Sequence, residues 1–261
     1  MAITAAQVKE LRERTGIGMM ECKKALTSAD GDMDKAIEEL RKKGLAKAAK
    51  KADRETLEGG IKIETENGKA YVLSVSCETD FLAISDKFKA MLSDIVKYLK
   101  ENGESSKEAA QEIINGDYAL ELGENLQIQE YKIIEGWVTA GYVHSNAKLA
   151  SVIVAKEGTD ETKAKQVAMH VTAANPEFLS ANDISEEVVE KEKALQLEIM
   201  KNDEKMANKP EQVLLKIIEG KMGKFKSQIS LLEQDFVIDP SMKVKAFIGE
   251  DNITEFYRFS I

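Results

Sequence analysis

Two cysteines, two histidines, three prolines and one tryptophan are a thin supply, in 261 residues, of the side chains that usually build disulfides, metal sites and helix breaks. Cys22 and Cys77 are far apart in sequence and form no paired framework, so both are expected as reduced thiols. Neither His144 nor His170 stands at a metal-ligand spacing from a cysteine, and no metal site is expected. No serine or cysteine has a discernible base and orienting acid beside it, which points away from covalent catalysis. The phosphate-loop pattern Gly-x-x-x-x-Gly-Lys-Ser/Thr is missing, and Gly16-Ile17-Gly18 does not follow a strand; direct nucleotide binding and a resident cofactor are not expected. No apolar run approaches the ~18 residues that span a bilayer, and no basic segment leads into a signal-like apolar stretch. The expected location is therefore cytoplasmic, away from membranes.

What is present favours helix. Hydrophobic residues make up 43% and charged residues 32%, with many Glu, Lys, Ala and Leu, as suits a helix-rich α+β protein with one large core or two modest domains. The net charge of −9 and a pI near 5.1 oppose general phosphate-backbone binding, which needs concentrated positive charge. The charge is uneven: residues 1–55 carry 13 basic against 10 acidic side chains. Within that stretch, Arg41 to Arg54 holds seven basic residues and only Asp53 as an acid. The default reading is a solvated helix end and linker; the alternative is an electrostatic contact with an acidic protein surface or a nucleic acid.

Hydrophobic periodicity predicts helices over about Thr4 to Arg14, Gly18 to Ser28 and Asp32 to Lys43, with turns at Thr15-Gly16-Ile17-Gly18 and Asp30-Gly31-Asp32. Val8 and Leu11, Met20, Ala25 and Leu26, and Ala36, Ile37 and Leu40 are the expected apolar faces. So small a unit buries little surface and is expected to be marginally stable alone. Gly60 to Val75 reads as two strands around Glu66-Asn67-Gly68, and Glu135 to Ala155 as two more around Ser145-Asn146. Each pair precedes a helix, from Phe81 and from Asp160 to Ala174, and a helical insertion is expected over roughly Ser105 to Leu120. Ser185 to Ala207 and Pro210 to Phe225 read as an antiparallel helical hairpin. Its expected faces are Val188, Leu195, Ile199 and Met206 against Leu215, Ile218, Met222 and Phe225, with Pro210 in the first turn of the returning helix. A short helix over Lys243 to Gly249 and a strand over Thr254 to Ser260 close the chain.

The most informative place is the corner Cys77-Glu78-Thr79-Asp80-Phe81-Leu82-Ala83, where strand alternation at Tyr71, Leu73 and Val75 gives way to helical spacing at Phe81, Ile84, Phe88, Met91, Leu92 and Ile95. Thr79 or Asp80 can cap the helix, and the charge of Asp80 suits its positive end. On local residues alone the ordinary reading is a cap followed by a core phenylalanine.

Longer blocks add a resemblance. Val8 to Leu26, with Arg14-Thr15-Gly16-Ile17-Gly18-Met19-Met20-Glu21-Cys22 at its centre, resembles the amino-terminal signature of translation elongation factor Ts. Glu78 to Ala83 resembles that family's second signature, and Leu122-Gly123-Glu124-Asn125, Tyr142-Val143-His144, Val167 to His170, Val188 to Glu192 and Leu231 to Val237 follow in order. The resemblance implies a ubiquitin-associated-like module and basic linker over 1–55, a first core subdomain with the signature corner over 56–134, and a second over 135–261 with a projecting helical hairpin inserted at about 186–226. A first motif beginning almost at Met1, with no transit segment, suits a bacterial member.

By that resemblance the protein is a guanine-nucleotide exchange factor for elongation factor Tu, with no covalent chemistry of its own. Thr79, Asp80, Phe81 and Leu82 are implied in dislocating Mg²⁺ from the partner, Phe81 as apolar wedge and Asp80 as polar anchor. Met19, Met20, Lys23, Leu122, Gly123 and His144 are implied partner contacts, whereas Val8 and Leu11 are packing. The partner would also bring association with its complex of GTP and aminoacyl-tRNA. Two departures stand out. Ser145-Asn146-Ala147-Lys148-Leu149-Ala150 replaces a glycine-containing turn and an Arg-Ile-Gly run, and the chain ends at Ile261 without the terminal helical extension of longer members. A noncatalytic adaptor is the runner-up reading and would not require Thr79 to Leu82; a nucleic-acid binder using Arg41 to Arg54 is the third.

Overall fold

Helix caps and positive-φ turns fix the first elements. The computed structural model describes residues 3–203 and 211–261. Helix α1 (Ala5–Thr15) starts at Thr4, whose side chain accepts from Gln7 N at 3.2 Å while Gln7 Oε1 accepts from Thr4 N at 3.0 Å. It ends at Gly16, φ 68°, a left-handed conformation that glycine adopts without penalty. Helix α2 (Met19–Ser28) turns at Asp30 and Gly31 into α3 (Met33–Lys51), capped by Asp32. The inward stripe of α2 is Cys22, Ala25 and Leu26, continuing to Ala29 beyond its end, at helical spacing. That stripe turns Met20 outward, 68% exposed, so Met20 is not the core residue expected and Cys22 fills the place.

Helix α3 runs eight residues beyond the expected Lys43, so the basic stretch is helix as far as Lys51 and only residues 52–54 lie outside it. Ala and Lys are strong helix formers, and the helix tolerates Gly44 because a side chain there would collide with the carbonyl oxygen of Gly116. The three helices enclose Val8, Leu11, Ile17, Leu26, Ala36 and Leu40, and Leu120 joins the same cluster from much later in the chain.

Strands β1 (Glu58–Glu66) and β2 (Lys69–Cys77) pair antiparallel, with Glu66 opposite Lys69 and Glu58 opposite Cys77. Asn67 and Gly68, at φ 51° and 73°, close the two-residue hairpin. Short helix α4 (Asp80–Ala83) precedes α5 (Asp86–Asn102), whose Phe88, Met91, Leu92, Ile95, Val96 and Leu99 form the core against Leu73 and Val75. Helix α6 (Lys107–Ile113), a π-turn over Ile114–Tyr118 and α7 (Ala119–Leu122) occupy the helical insertion. Strand β3 (Gln127–Glu135), not foreseen in the sequence, completes the sheet in the order β1-β2-β3.

The chain divides into two compact units: residues up to Ile134 with Val143–Ala150 and Phe259–Ile261, and Glu135–Tyr142 with Ser151–Arg258. The second unit holds the greater part of strands β4 (Val138–Val143) and β5 (Leu149–Ala155), helices α8 (Glu161–Ala174), α9 (Glu186–Asn202) and α10 (Glu211–Ile229), strands β6 (Asp235–Phe236) and β7 (Asp239–Lys243), helix α11 (Val244–Ile248) and the greater part of strand β8 (Ile253–Ser260). Its main sheet has the order β4-β5-β8 and packs Ile153 and Ile253 with Val167, Val171, Leu231 and Phe236. The fold is thus helix-rich α+β. In the α9–α10 hairpin, Val189 and Met200 cluster with Leu214, Ile218 and Met222, and Lys221 Nζ donates to Gln196 Oε1 at 2.8 Å. Ile218 and Met222 close the packing face as expected and Val188 and Phe225 pack partly buried beside them, whereas Leu195, Ile199 and Leu215 are about half exposed and Val189, Met200 and Leu214 fill the face instead. Met206 and Pro210 lie outside the described residues.

Candidate partner-binding corner

The first unit holds all ten candidate residues. Its corner begins where β2 stops at Cys77, a buried thiol whose pKa burial pushes up to about 12, making it an inert core group. Thr79 caps α4 through Leu82 N at 3.3 Å, and Asp80 Oδ1 accepts from Phe81 N at 2.8 Å, so its charge rests on the helix N-terminus. Only Ala83 of the four α4 residues is buried. Phe81 is 78% exposed and Ile84 66%, whereas Leu82 is partly covered. The ordinary local reading of Phe81 as core is therefore overturned. Ser85 resets the helix by capping α5 through Phe88 N at 3.2 Å, and the buried face starts only at Phe88.

Polar groups from a distant segment hold the corner. Glu124 Oε2 accepts from Glu78 N at 2.8 Å and Thr79 N at 2.9 Å, and its Oε1 accepts from Thr79 Oγ1 at 2.5 Å. In return Glu78 Oε1 accepts from Asn125 N at 2.7 Å. That bond, with Arg54 Nη1 at 3.2 Å, holds the Glu78 carboxyl below its ordinary pKa. Asn125 Nδ2 donates to the carbonyls of Ala52, 3.2 Å, and Arg54, 2.8 Å. Sequence reading singled out none of Glu124, Asn125 and Arg54 as site residues. The Leu122–Asn125 block was visible, but its bonds to the corner span 45 to 47 residues and no local pattern links them.

The other candidates come from other elements of this unit. Met19, Met20 and Lys23 lie on the outer side of α2, and all three are exposed. Leu122 and Gly123 immediately precede Glu124, and Lys51 Nζ donates to the Gly123 carbonyl. Exposed His144 opens the turn before β5. Ala147, at φ 56°, occupies the left-handed position where a glycine would be unstrained, and its carbonyl accepts from Ile61 N at 2.7 Å. Lys148 pairs with Glu58, so the turn is tied to β1. Of the seven basic residues from Arg41 to Arg54, five engage this chain itself: Arg41 with Asp117, Lys42 with Glu38, Lys43 with Glu21, Lys51 with Gly123 and Arg54 with Glu78. His170, in the second unit, is a satisfied core histidine: Val237 N donates to Nδ1 at 3.1 Å and Nε2 pairs with Gln234 Oε1 at 2.7 Å.

Among the described residues no cluster of His, Cys, Asp and Glu could hold a metal ion, and no helix is long and apolar enough to cross a membrane. The family model of elongation factor Ts matches residues 78–261, beginning within the corner at Glu78. Elongation factor Ts of Pseudomonas putida (strain GB-1) is 44% identical over 250 residues, 93% of this chain and 84% of that protein. The Klebsiella pneumoniae subsp. pneumoniae protein of that name is 42% identical over 268 residues, 99% of this chain and 91% of its own. Identity at that level along nearly the full length of both relatives means that this chain belongs to the elongation factor Ts family.

Proposed function

We propose that this member of a translation elongation family is the guanine-nucleotide exchange factor of elongation factor Tu. It binds the GDP form of that partner, dislocates the partner's Mg²⁺ and promotes GDP release so that GTP can enter. The observation that carries the reading is Phe81, a large apolar side chain 78% exposed at the tip of a polar-held corner. Leaving such a ring in water sacrifices burial energy, and interface anchors are where that sacrifice is recovered.

A GTPase retains GDP through phosphate contacts and a Mg²⁺ ion that offsets repulsion between the phosphate oxygens. Phe81 enters the partner near its metal-binding region as the wedge, with Thr79, Asp80 and Leu82 setting its approach. Loss of the ion weakens nucleotide retention, and no covalent bond is made or broken by this chain. Met19, Met20 and Lys23 contact the partner from α2, and Leu122, Gly123 and His144 extend the interface on the same unit. Release of the factor follows from reciprocity: whatever reduction the factor imposes on nucleotide affinity, nucleotide imposes equally on factor affinity. Cellular GTP then sets the direction.

Stopped-flow release of fluorescent GDP from elongation factor Tu tests this. Substoichiometric protein should accelerate release, and excess Mg²⁺ should oppose the acceleration. No acceleration with the cognate partner rejects the reading; acceleration insensitive to Mg²⁺ moves the mechanism away from the corner.

A further inference from the structure

An exposed wedge has a mechanical problem. Phe81 cannot be held by its own packing, and Ala83 is the one buried side chain of α4. Four residues are also too few for a helix to be stable by its own hydrogen bonds. Whatever fixes the direction of the ring must act on the backbone in front of it, and that backbone ends on one carboxylate. Glu124 takes both N–H groups at Glu78 and Thr79 and the Thr79 hydroxyl. Thr79 is in turn the cap of α4, so the grip passes directly into the first turn that carries Phe81. Glu78 returns the bond to Asn125 N, and Asn125 reaches the carbonyls at the end of the basic segment. Two loops remote in sequence thus exchange carboxylate-to-amide bonds.

We infer that Glu124 is a positioning residue for nucleotide exchange, presetting the corner so that Phe81 meets the partner without first being ordered. The inference rests on the exchange-factor reading above. Bonds from one side chain to two successive N–H groups and a hydroxyl fix the direction of the backbone between them, and preorganisation removes an ordering penalty at the moment of binding. The role depends on reach and oxygen geometry rather than on net charge. Glutamine keeps the side-chain length, and its one carbonyl oxygen can still accept both N–H bonds while its amide faces the Thr79 hydroxyl. Aspartate keeps the charge but draws the oxygens back by a methylene.

The experiment compares the full-length chain with its Glu124→Gln, Glu124→Asp and Glu124→Ala variants. Release of fluorescent GDP from elongation factor Tu is followed across factor concentration to saturation, beside denaturant unfolding of each protein. Glu124→Gln should stay within about threefold of wild type, whereas Glu124→Asp should lose about tenfold or more, the scale of one lost charged hydrogen-bond anchor. Amide hydrogen exchange at residues 78–82 of the free protein should accelerate in Glu124→Asp and not in Glu124→Gln. A loss in Glu124→Gln as large as in Glu124→Asp would overturn positioning by reach, a larger one would make Glu124 a direct charge contact, and full activity of Glu124→Ala would overturn positioning as well. Activity loss that merely tracks the unfolded fraction also overturns it. If Glu124→Ala fails to fold, the Gln and Asp pair decides. A wild-type protein that does not accelerate release rejects the exchange reading itself, and unchanged protection at 78–82 in Glu124→Asp rejects positioning independently of any partner.

Discussion

Phe81 and Phe88 are the same residue seven positions apart, on what reads as one apolar helical stripe, yet one ring is 78% exposed and the other fully buried. The difference is made between them. Thr79 and Ser85 each cap a separate helix, so the stripe is cut and only its second part faces the sheet. Phe88 lies against Gly60 of β1, where its ring approaches within 3.1 Å of the place a Cβ would occupy, and joins Met91, Leu92 and Ile95. Phe81 sits on four residues held by Glu124. Periodicity alone therefore identifies which residues share a face, while caps decide whether that face is continuous.

The contrast can be broken from its strong end first. Phe88→Ala leaves a cavity in the first unit and should lower unfolding free energy by about 3 to 5 kcal/mol in denaturant titration; an unchanged midpoint would remove Phe88 from the core. Phe81→Ala should leave stability within about 0.5 kcal/mol, as for surface substitutions, while exchange at subsaturating factor falls by over about tenfold, or roughly 1.4 kcal/mol. A Phe81→Ala protein that unfolds early would erase the contrast, and one that exchanges normally would remove the wedge. Ser85→Ala takes away the cap that separates the two rings and should cost about 1 kcal/mol, read from the same titration; no loss would place the break elsewhere.

A third ring sharpens the comparison most gently. His170 is buried like Phe88 but carries polar atoms, each satisfied, and burial lowers its pKa below the ordinary value. The unfolded chain then binds more protons than the folded one once pH falls below about 6.5. Its contribution is complete above that pH and declines on acidification towards the lowered folded value. Unfolding midpoints should therefore drop between pH 7 and pH 5, and drop less in His170→Gln; equal drops would show that His170 does not titrate across folding.

Much of this was legible in the sequence for identifiable reasons. Thr4, Asp32 and Asp160 announced helix starts because capping is local chemistry, and Asn67-Gly68 announced a hairpin because both positions need positive φ. Cys22 and Met20 were exchanged because both fit an apolar face, and only the packing of α2 on its neighbours chooses between them. The hairpin faces were legible in part for the same reason: Ile218 and Met222 pack as expected, while adjacent apolar positions let Val189, Met200 and Leu214 take the places of Leu195, Ile199 and Leu215. Strand β3 stayed hidden because its buried Ile128, Tyr131 and Ile134 stand three residues apart among Gln127, Gln129, Glu130 and Lys132, so the period-two signal of a strand is missing. The bracket of Glu124 on the corner was invisible because it joins residues 45 and 46 apart, a pairing that only the folded sheet and insertion create.

Leu120 belongs to the cluster enclosed by α1, α2 and α3, although 69 positions separate it from Lys51 at the end of those helices. During synthesis at ~5 to 20 residues per second, the ribosome takes roughly 3 to 14 s to add that stretch. For that interval the nascent helices lack one wall of their core. Their final closure waits on the segment that also delivers Glu124, so the earliest part of the chain to be made is among the later parts to be finished.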